Sequence, residues 1–295
     1  MRLDSAQLNA FATVIDEGSF ERAAAALHVT RSAVSQRVKL LEERVGQVLV
    51  RRATPCTPTE AGQALYRHAR EVALSETDAL ATIGGGQHTS TRLAIGVNAD
   101  SLATWFPHAM AQAAEGQSIT FDIHVEDQDH SANLLREGRV MAAVTADPQP
   151  VQGCKVLPLG TLRYRALASP AFMQRYFSQG VTAAALATAP MLVFNRKDAL
   201  QARFVGRITR RKLTPPVHWL PEAHAFVMAT RAGLGWGMTP DPMVQHDLEA
   251  GTLVELIPGK PVDVPLYWQS WRLNVQALHH MTEAVQRAAG LTLLR

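Results

Sequence analysis

The sequence predicts an α/β protein in three parts: an N-terminal winged helix-turn-helix, one long linker helix, and a C-terminal unit of alternating strands and helices. Three observations predict this. Residues 1–58 carry helical apolar spacing punctuated by cap residues and by Gly18. Residues 59–83 read as one longer helix, followed by Gly84-Gly85-Gly86-Gln87-His88-Thr89-Ser90, a stretch without an apolar anchor. From Arg92 onward short strands alternate with helical segments and no solenoid repeat is present. The boundaries fall at 1–58, 59–88 and 89–295.

Asp4 or Ser5 is placed to cap a first helix with Leu8, Phe11, Ala12 and Ile15 on its apolar face, and Gly18 stands where a left-handed residue ends it. Ser19 then caps a second helix, Phe20 to Leu27, with Ala23, Ala24 and Leu27 inward. Small alanines let two helices cross steeply with their backbones close. After the turn His28-Val29-Thr30, Thr30 caps a third helix with Ala33, Val34, Val38, Leu41 and Val45 on one face. Arg31, Ser32, Ser35, Gln36 and Lys39 occupy the other face, with Arg37 as a further basic candidate. Such a helix suits the major groove of DNA. Arg and Gln make paired contacts with guanine and adenine edges, and Ser and Thr, including Ser19 and Thr30, bond phosphates. A plain three-helix bundle with a solvated face fits the same pattern. Gln47-Val48-Leu49-Val50-Arg51-Arg52 reads as a short strand entering a hairpin wing, which would set Arg51 and Arg52 on flanking phosphates. Solvated surface is the plainer reading of that pair.

Thr57-Pro58-Thr59-Glu60 predicts the start of the long helix, with Thr57 as cap, Pro58 in the first position and Glu60 closing a capping box. Leu65, Ala69, Val72, Ala79, Leu80 and Ile83 form an apolar stripe interrupted at Glu76. The same helix of a second chain would bury that stripe, and a two-fold dimer matches paired half-sites. Packing on its own N-terminal domain is the alternative.

The composition excludes several classes. Hydrophobic residues at 47% and charged residues at 19% describe an ordinary globular chain. A net charge of +3 permits nucleic-acid binding without requiring it, since charge must cluster to matter. Cys56 and Cys154 share no ligand spacing, so no disulfide framework, zinc site or cofactor is expected, and a reducing cytoplasm is the expected location. Met1-Arg2-Leu3-Asp4 carries an early acid and does not open a signal peptide. No apolar run reaches the ~18–20 residues that span a bilayer. There is no HExxH and no G-x-S-x-G elbow, so no enzyme is expected. Gly233-Leu234-Gly235-Trp236-Gly237 lacks the dinucleotide spacing and reads as a helix end feeding a buried strand. The basic run Arg207, Arg210, Arg211 and Lys212 reads as a solvated face.

Gly18-Ser19-Phe20, Ala23-Ala24, Leu27, Ser32-Ala33-Val34-Ser35-Gln36, Leu41-Glu42, Gly46, Arg51-Arg52 and Thr59-Glu60-Ala61-Gly62 together resemble the DNA-binding domain of LysR-type transcriptional regulators, without a gap over about 60 residues. The resemblance implies a winged helix-turn-helix, a dimerising helix and an effector domain of two Rossmann-like subdomains resembling periplasmic binding proteins. It implies double-stranded operator DNA, a small effector, RNA polymerase and further copies of the chain, as homodimer or homotetramer, as partners, with no membrane. Val97 to Phe106, His124 to His130, Phe194-Asn195-Arg196-Lys197-Asp198, Gly233 to Met238 and Tyr267-Trp268 resemble the ArgP/LysG branch, which senses lysine or arginine and controls basic amino-acid export. Asn195 departs from that branch, where an acid is expected.

The expected sensing site follows from strand ends. Leu93, Ile95 and Val97 alternate as a strand that leads into Asn98-Ala99-Asp100-Ser101, with a helix starting near Ser101. A second strand, Ile119 to Val125, ends at Glu126-Asp127-Gln128-Asp129, and a third, Val140 to Val144, at Thr145-Ala146-Asp147. In open α/β sheets the ligand crevice lies outside the strand C-termini, and the free N–H groups of a helix start hold an anion. Asn98, Ser101 and Thr145 are candidate carboxylate contacts. Asp100, Asp127, Asp129, Asp147 and Glu222 are candidate partners for the cationic groups, and Trp105 and Trp219 are candidate walls. Helix capping, solvated surface and core packing are the competing readings for these residues. A cytoplasmic small-molecule-binding α/β protein, or a regulator with another effector, is the alternative for the chain as a whole.

Overall fold

The computed structural model describes residues 3–82, 90–126 and 131–295, with side chains left out at 81 and 82. Ile83, the glycine run from Gly84, Asp127 and Asp129 lie outside the described residues.

The N-terminal unit is built from α1 (Ser5–Glu17), α2 (Phe20–Ala26), α3 (Arg31–Val45), and the hairpin β1 (Val50–Arg51) and β2 (Thr57–Pro58). Each helix starts at a side-chain cap: Asp4 accepts from the Gln7 N–H at 2.9 Å, Ser19 from Arg22 at 3.0 Å and Thr30 from Ala33 at 3.2 Å. Gly18 closes α1 at φ 65°, a conformation costly for other residues. Phe11, Val14, Ala23, Val34, Val38, Leu41 and Leu49 are fully buried between the helices and the hairpin. Glu42 of α3 accepts from the Leu49 and Val50 N–H groups at 2.8 and 3.3 Å, which fastens the wing to the helix.

The long helix α4 (Glu60–Thr82) starts two residues later than the Thr57 cap predicts. Thr57 and Pro58 pair with Arg51 and Val50 in the hairpin, and Thr59 accepts from the Gly62 N–H at 3.0 Å as the cap instead. Pro58 lacks an N–H and fits a short edge strand as well as a first helical position. The apolar stripe also divides. Leu65 and Ala69, with Tyr66, pack on the N-terminal core, whereas Leu74 enters the core of the C-terminal unit. Ala79 and Leu80 are exposed, and Val72 is half-buried. Packing on its own domain therefore accounts for the first part of the stripe. Burial and the Asp16 carboxylate push the Tyr66 phenol above its usual range, so it stays protonated and donates to Asp16.

Arg67 fixes α4 to the C-terminal unit. Its Nη1 donates to the Gln152 carbonyl at 2.6 Å, its Nε to Glu71 at 3.0 Å, and its guanidinium lies 5.3 Å from the Trp271 ring centre. Gly138 and Gly153 wall the socket. A Cβ on Gly153 would stand 2.6 Å from the guanidinium. Burial pushes the thiol of neighbouring Cys154 up.

The C-terminal unit runs β3 (Thr91–Val97), α5 (Ala99–Ala103), α6 (Phe106–Ala114), β4 (Ile119–Val125), α7 (Ser131–Arg136), β5 (Ala142–Thr145), β6 (Cys154–Ala168), α8 (Pro170–Phe177), α9 (Ala183–Thr188), β7 (Met191–Val193), α10 (Leu200–Gly206), β8 (Val217–Trp219), α11 (Ala223–Arg231), β9 (Gly237–Pro240), α12 (Gln245–Ala250), β10 (Val254–Glu255), β11 (Val262–Trp271) and α13 (Gln276–Thr292). Among the described residues the main sheet has the order β10-β6-β11-β5-β3-β4, with β9 also on β6, and β7 pairs with β8 in parallel. The first lobe holds β3, β4 and β5. The second gathers β7, β8, β9 and β10. The 15-residue β6 and the 10-residue β11 pair antiparallel along Cys154–Tyr164 and Val262–Trp271. They run through both halves, so the two lobes share strands. Arg231 and the 4% exposed Asp247 form a paired bond at 2.6 and 2.5 Å that holds α11 to α12. The bond to the guanidinium keeps the Asp247 carboxyl below its usual range.

Candidate functional site

Two surfaces carry chemistry. On the first, the exposed face of α3 brings Arg31, Ser32, Ser35, Gln36 and Lys39 around one shallow groove. Thr30 caps the N-terminus of this helix. Arg31 pairs with Glu21 of α2 at 2.9 Å, and Lys39 with Glu43 one turn on at 3.6 Å. The Ser19 and Thr30 hydroxyl oxygens accept the capping N–H groups, and each hydroxyl keeps its own proton to donate outward. Arg37 is half-buried and outside this groove. Arg51 and Arg52 are exposed on the wing, and the Arg52 guanidinium stands 5.2 Å from the Phe20 ring centre.

The second surface is a cavity of about 110 Å³ between the lobes. The first lobe lines it with Asn98, Ala99, Asp100, Val125 and Glu126, and the second with Phe194, Asn195, Asp198, Phe226 and Thr239, among others. This is the crevice outside the ends of β3 and β4. Helix α5 begins at Ala99, earlier than expected, so Ser101 lies inside its first turn. The Asn98 amide, the Ser101 hydroxyl and the Thr239 hydroxyl are buried, at 1%, 0% and 1% exposure, and have no hydrogen-bond partner among the described residues. A buried polar group left unpaired costs ~1–3 kcal/mol. Asp100 accepts from the Tyr164 hydroxyl at 2.7 Å. Asp198 accepts from the Phe194 and Leu200 N–H groups at 3.1 and 2.9 Å, and Glu126 accepts from the Lys197 ammonium at 2.8 Å.

The structure brings Asn98 and Asp100 together at the cavity and places several other candidates elsewhere. Trp105 is 1% exposed and packs edge-on against Phe106 in the core rather than walling the cavity. Thr145 is fully buried, and its hydroxyl accepts from the Asp147 N–H at 3.0 Å. Asp147 turns back to the Gln149 N–H at 2.9 Å and lies 4.0 Å from Arg136. Neither Thr145 nor Asp147 lines the cavity, because the residues after β5 form a turn that β11 holds through Gln269. Glu222 is the exposed cap of α11. The His224 and Ala225 N–H groups, at 3.0 and 2.6 Å, hold its carboxyl below the usual range. Trp219 is half-exposed under the Arg196 guanidinium and is also off the cavity. Glu126, Asp198 and Thr239 are among the lining residues that the sequence reading did not select. Glu126 directly follows β4, the same strand end that pointed to Asp127 and Asp129.

Comparison with known proteins agrees across both surfaces. Residues 5–63 match the model for bacterial regulatory helix-turn-helix proteins of the lysR family, and residues 86–291 match the LysR substrate binding domain. The HTH-type transcriptional regulator LysG of Mycobacterium bovis is 49% identical over 290 residues, which are 98% of this chain and 94% of that protein. The crystal structure of ArgP from Mycobacterium tuberculosis is 48% identical with a TM-score of 0.89, covering 100% of this chain and 99% of that one. Full-length LysG from Corynebacterium glutamicum with bound effector Arg is 40% identical with a TM-score of 0.82, covering 99% of this chain and 100% of that one. Among the described residues no helix is long and apolar enough to cross a membrane. The chain belongs to the LysR family and is a DNA-binding transcriptional regulator, not an enzyme.

Proposed function

We propose that the cavity between the lobes binds arginine or lysine and that this binding controls a gene for basic amino-acid export from the cytoplasm. The observation that carries the reading is the lining itself: three carboxylates, Asp100, Glu126 and Asp198, stand beside the buried, unpartnered Asn98 and Thr239 side chains. Carboxylates match a ligand with two cationic groups, and unpaired amide and hydroxyl groups match its carboxylate. The arginine found in Corynebacterium LysG supports the same choice. Ser101, next to Asp100 but buried behind the lining, keeps an unpartnered hydroxyl that is proposed as a further donor. Calorimetric titration of arginine and lysine into the full-length protein tests this. Binding of one of them is expected, with Ser101→Ala roughly tenfold weaker, as a charge-assisted bond worth ~1.5 kcal/mol requires. No heat with either amino acid would remove the effector assignment and leave the regulator standing.

The DNA-reading residues are proposed to be Arg31, Ser32, Ser35, Gln36 and Lys39 on α3, with Ser19, Thr30, Arg37, Arg51 and Arg52 on phosphates. The division at 1–58, 59–88 and 89–295 serves reading, linking and sensing in turn. Two copies are proposed to meet along the part of α4 that its own chain leaves uncovered, where Val72 and Ala79 border an open groove and Leu80 is 54% exposed. Pairs of such dimers make the tetramer, with RNA polymerase as a partner at the promoter. Val72→Glu combined with Leu80→Glu puts like charges into that seam. Light scattering at low micromolar protein is expected to show the mass of a monomer for this variant, and an unchanged oligomer mass would move the interface elsewhere. Leu65 is unsuited to this test, because it packs on the N-terminal core.

A further inference from the structure

Lys197 joins the two lobes through a carboxylate that lines the cavity. It belongs to the loop between β7 and α10 in the second lobe, and its ammonium reaches Glu126, just past β4 in the first, at 2.8 Å. The loop that presents it is tied down. The Asn195 side-chain oxygen accepts from the Lys197 N–H at 2.7 Å and from the Asp198 N–H at 3.2 Å. The Asp198 carboxylate accepts from the N–H groups of Phe194 and Leu200 on either side. Asn195 is thus a loop-former, and a short side chain accepting two backbone N–H groups is what this position requires. The adjacent Arg196 packs on Trp219 of its own lobe, so of these two neighbouring cations it is Lys197 that crosses.

We infer that Lys197 is a specificity-determining residue: an internal cation that occupies Glu126 until the cationic group of the effector displaces it. This rests on the cavity being the basic amino-acid site. Three features support it. Glu126 lines the cavity, so the carboxylate that Lys197 holds is one a bound cation meets. The pair is half-exposed, with side-chain exposures of 49% and 31%, and ion pairs of that kind contribute little and exchange readily. The competitor is also graded by chemistry. A guanidinium can present two parallel N–H bonds to one carboxylate where an ammonium presents a point charge, so arginine displaces Lys197 more effectively than lysine does. A ligand without a second cation leaves the Lys197–Glu126 contact in place. The contact thereby raises the threshold for cationic ligands alone and grades arginine above lysine.

The test uses the full-length protein, with arginine, lysine and leucine titrated calorimetrically into wild type, Lys197→Met and Lys197→Arg. Lys197→Met removes the ammonium from Glu126 and is expected to bind arginine and lysine roughly two- to fivefold more tightly, the strength of a half-exposed ion pair. Lys197→Arg, a stronger occupant, is expected to bind them no better than wild type. Leucine should gain nothing in either. Equal thermal melting of the three unliganded proteins excludes a folding effect. Weaker arginine binding by Lys197→Met would overturn the inference, because Lys197 would then hold the ligand rather than compete with it, and unchanged binding would make it a bystander. Absence of arginine and lysine binding in wild type itself would overturn the effector assignment and this inference together. The first two outcomes remove the inference alone.

Discussion

Removing the side chains of Gln36 and Arg31 together is expected to abolish the preference of the protein for its operator over random duplex. Both stand exposed on the open face of α3, whose start is fixed by the Thr30 cap and whose other face is locked by Val34, Val38 and Leu41. Arg31 is already held by Glu21, so its fork is presented with less conformational freedom to lose on binding. A paired base contact is worth ~1–3 kcal/mol of discrimination, so the double change should lower specific affinity by roughly 30-fold to 10⁴-fold. Non-specific binding should persist, with the salt slope smaller by about one for the lost Arg31 charge. Fluorescence anisotropy on the upstream DNA and on a scrambled duplex, at two salt concentrations, measures both quantities. An operator preference that survives the double change would assign base reading to another element.

Gly62→Ala is expected to disable the N-terminal unit while sparing effector binding. A Cβ at Gly62 would stand 2.1 Å from the Leu49 carbonyl oxygen and 3.2 Å from the Pro58 Cβ. The obstacle is backbone, held on both sides. Glu42 binds the Leu49 N–H, and the Thr59 hydroxyl donates to the Val48 carbonyl at 2.7 Å. Relief therefore requires the wing to separate from α4, a cost at or above the ~1–3 kcal/mol usual for overpacking. Thermal unfolding should show a lowered melting temperature, and anisotropy a loss of operator binding, while calorimetric titration of the effector stays as in wild type. Melting and operator binding like those of wild type would show that wing and linker helix are not packed this closely in solution.

The N-terminal 60 residues were almost wholly legible because their signals are local. Asp4, Ser19, Thr30 and Gly18 mark helix ends by chemistry that acts within one turn. The start of α4 was misplaced because Thr57-Pro58-Thr59-Glu60 offers two threonines in cap-like settings, and only the pairing of Pro58 with Val50, across the hairpin, decides between them. The apolar stripe of α4 divides between two cores for a similar reason. Periodicity identifies an apolar face but not what covers it, and Tyr66 and Leu74 face two different cores. In the effector unit, strand ends located Asn98, Asp100 and the neighbourhood of Glu126. Asp198 and Thr239 were not selected, since they come from the second lobe, in the loop after β7 and on β9, and the strand-end rule was applied only to the first lobe. Thr145 and Asp147 followed the strand-end rule and missed the cavity because Gln269 of β11 draws that turn to itself.

The Arg67 socket has a mechanical meaning. Tyr66 and Ala69 anchor α4 to the reading head, and Arg67, Leu74 and Asp78 anchor it to the first lobe, where the Asp78 carboxylate takes the Gln276 N–H at 3.0 Å. Head, rod and first lobe thus form one stiff lever, with α4 alone spanning about 34 Å at 1.5 Å per residue, close to one turn of duplex DNA. A ligand that draws the lobes together does its work on the second lobe, which swings against that lever. On this geometry the proposed effector would move the second lobe against that lever, while the head keeps its place on α4 and the first lobe.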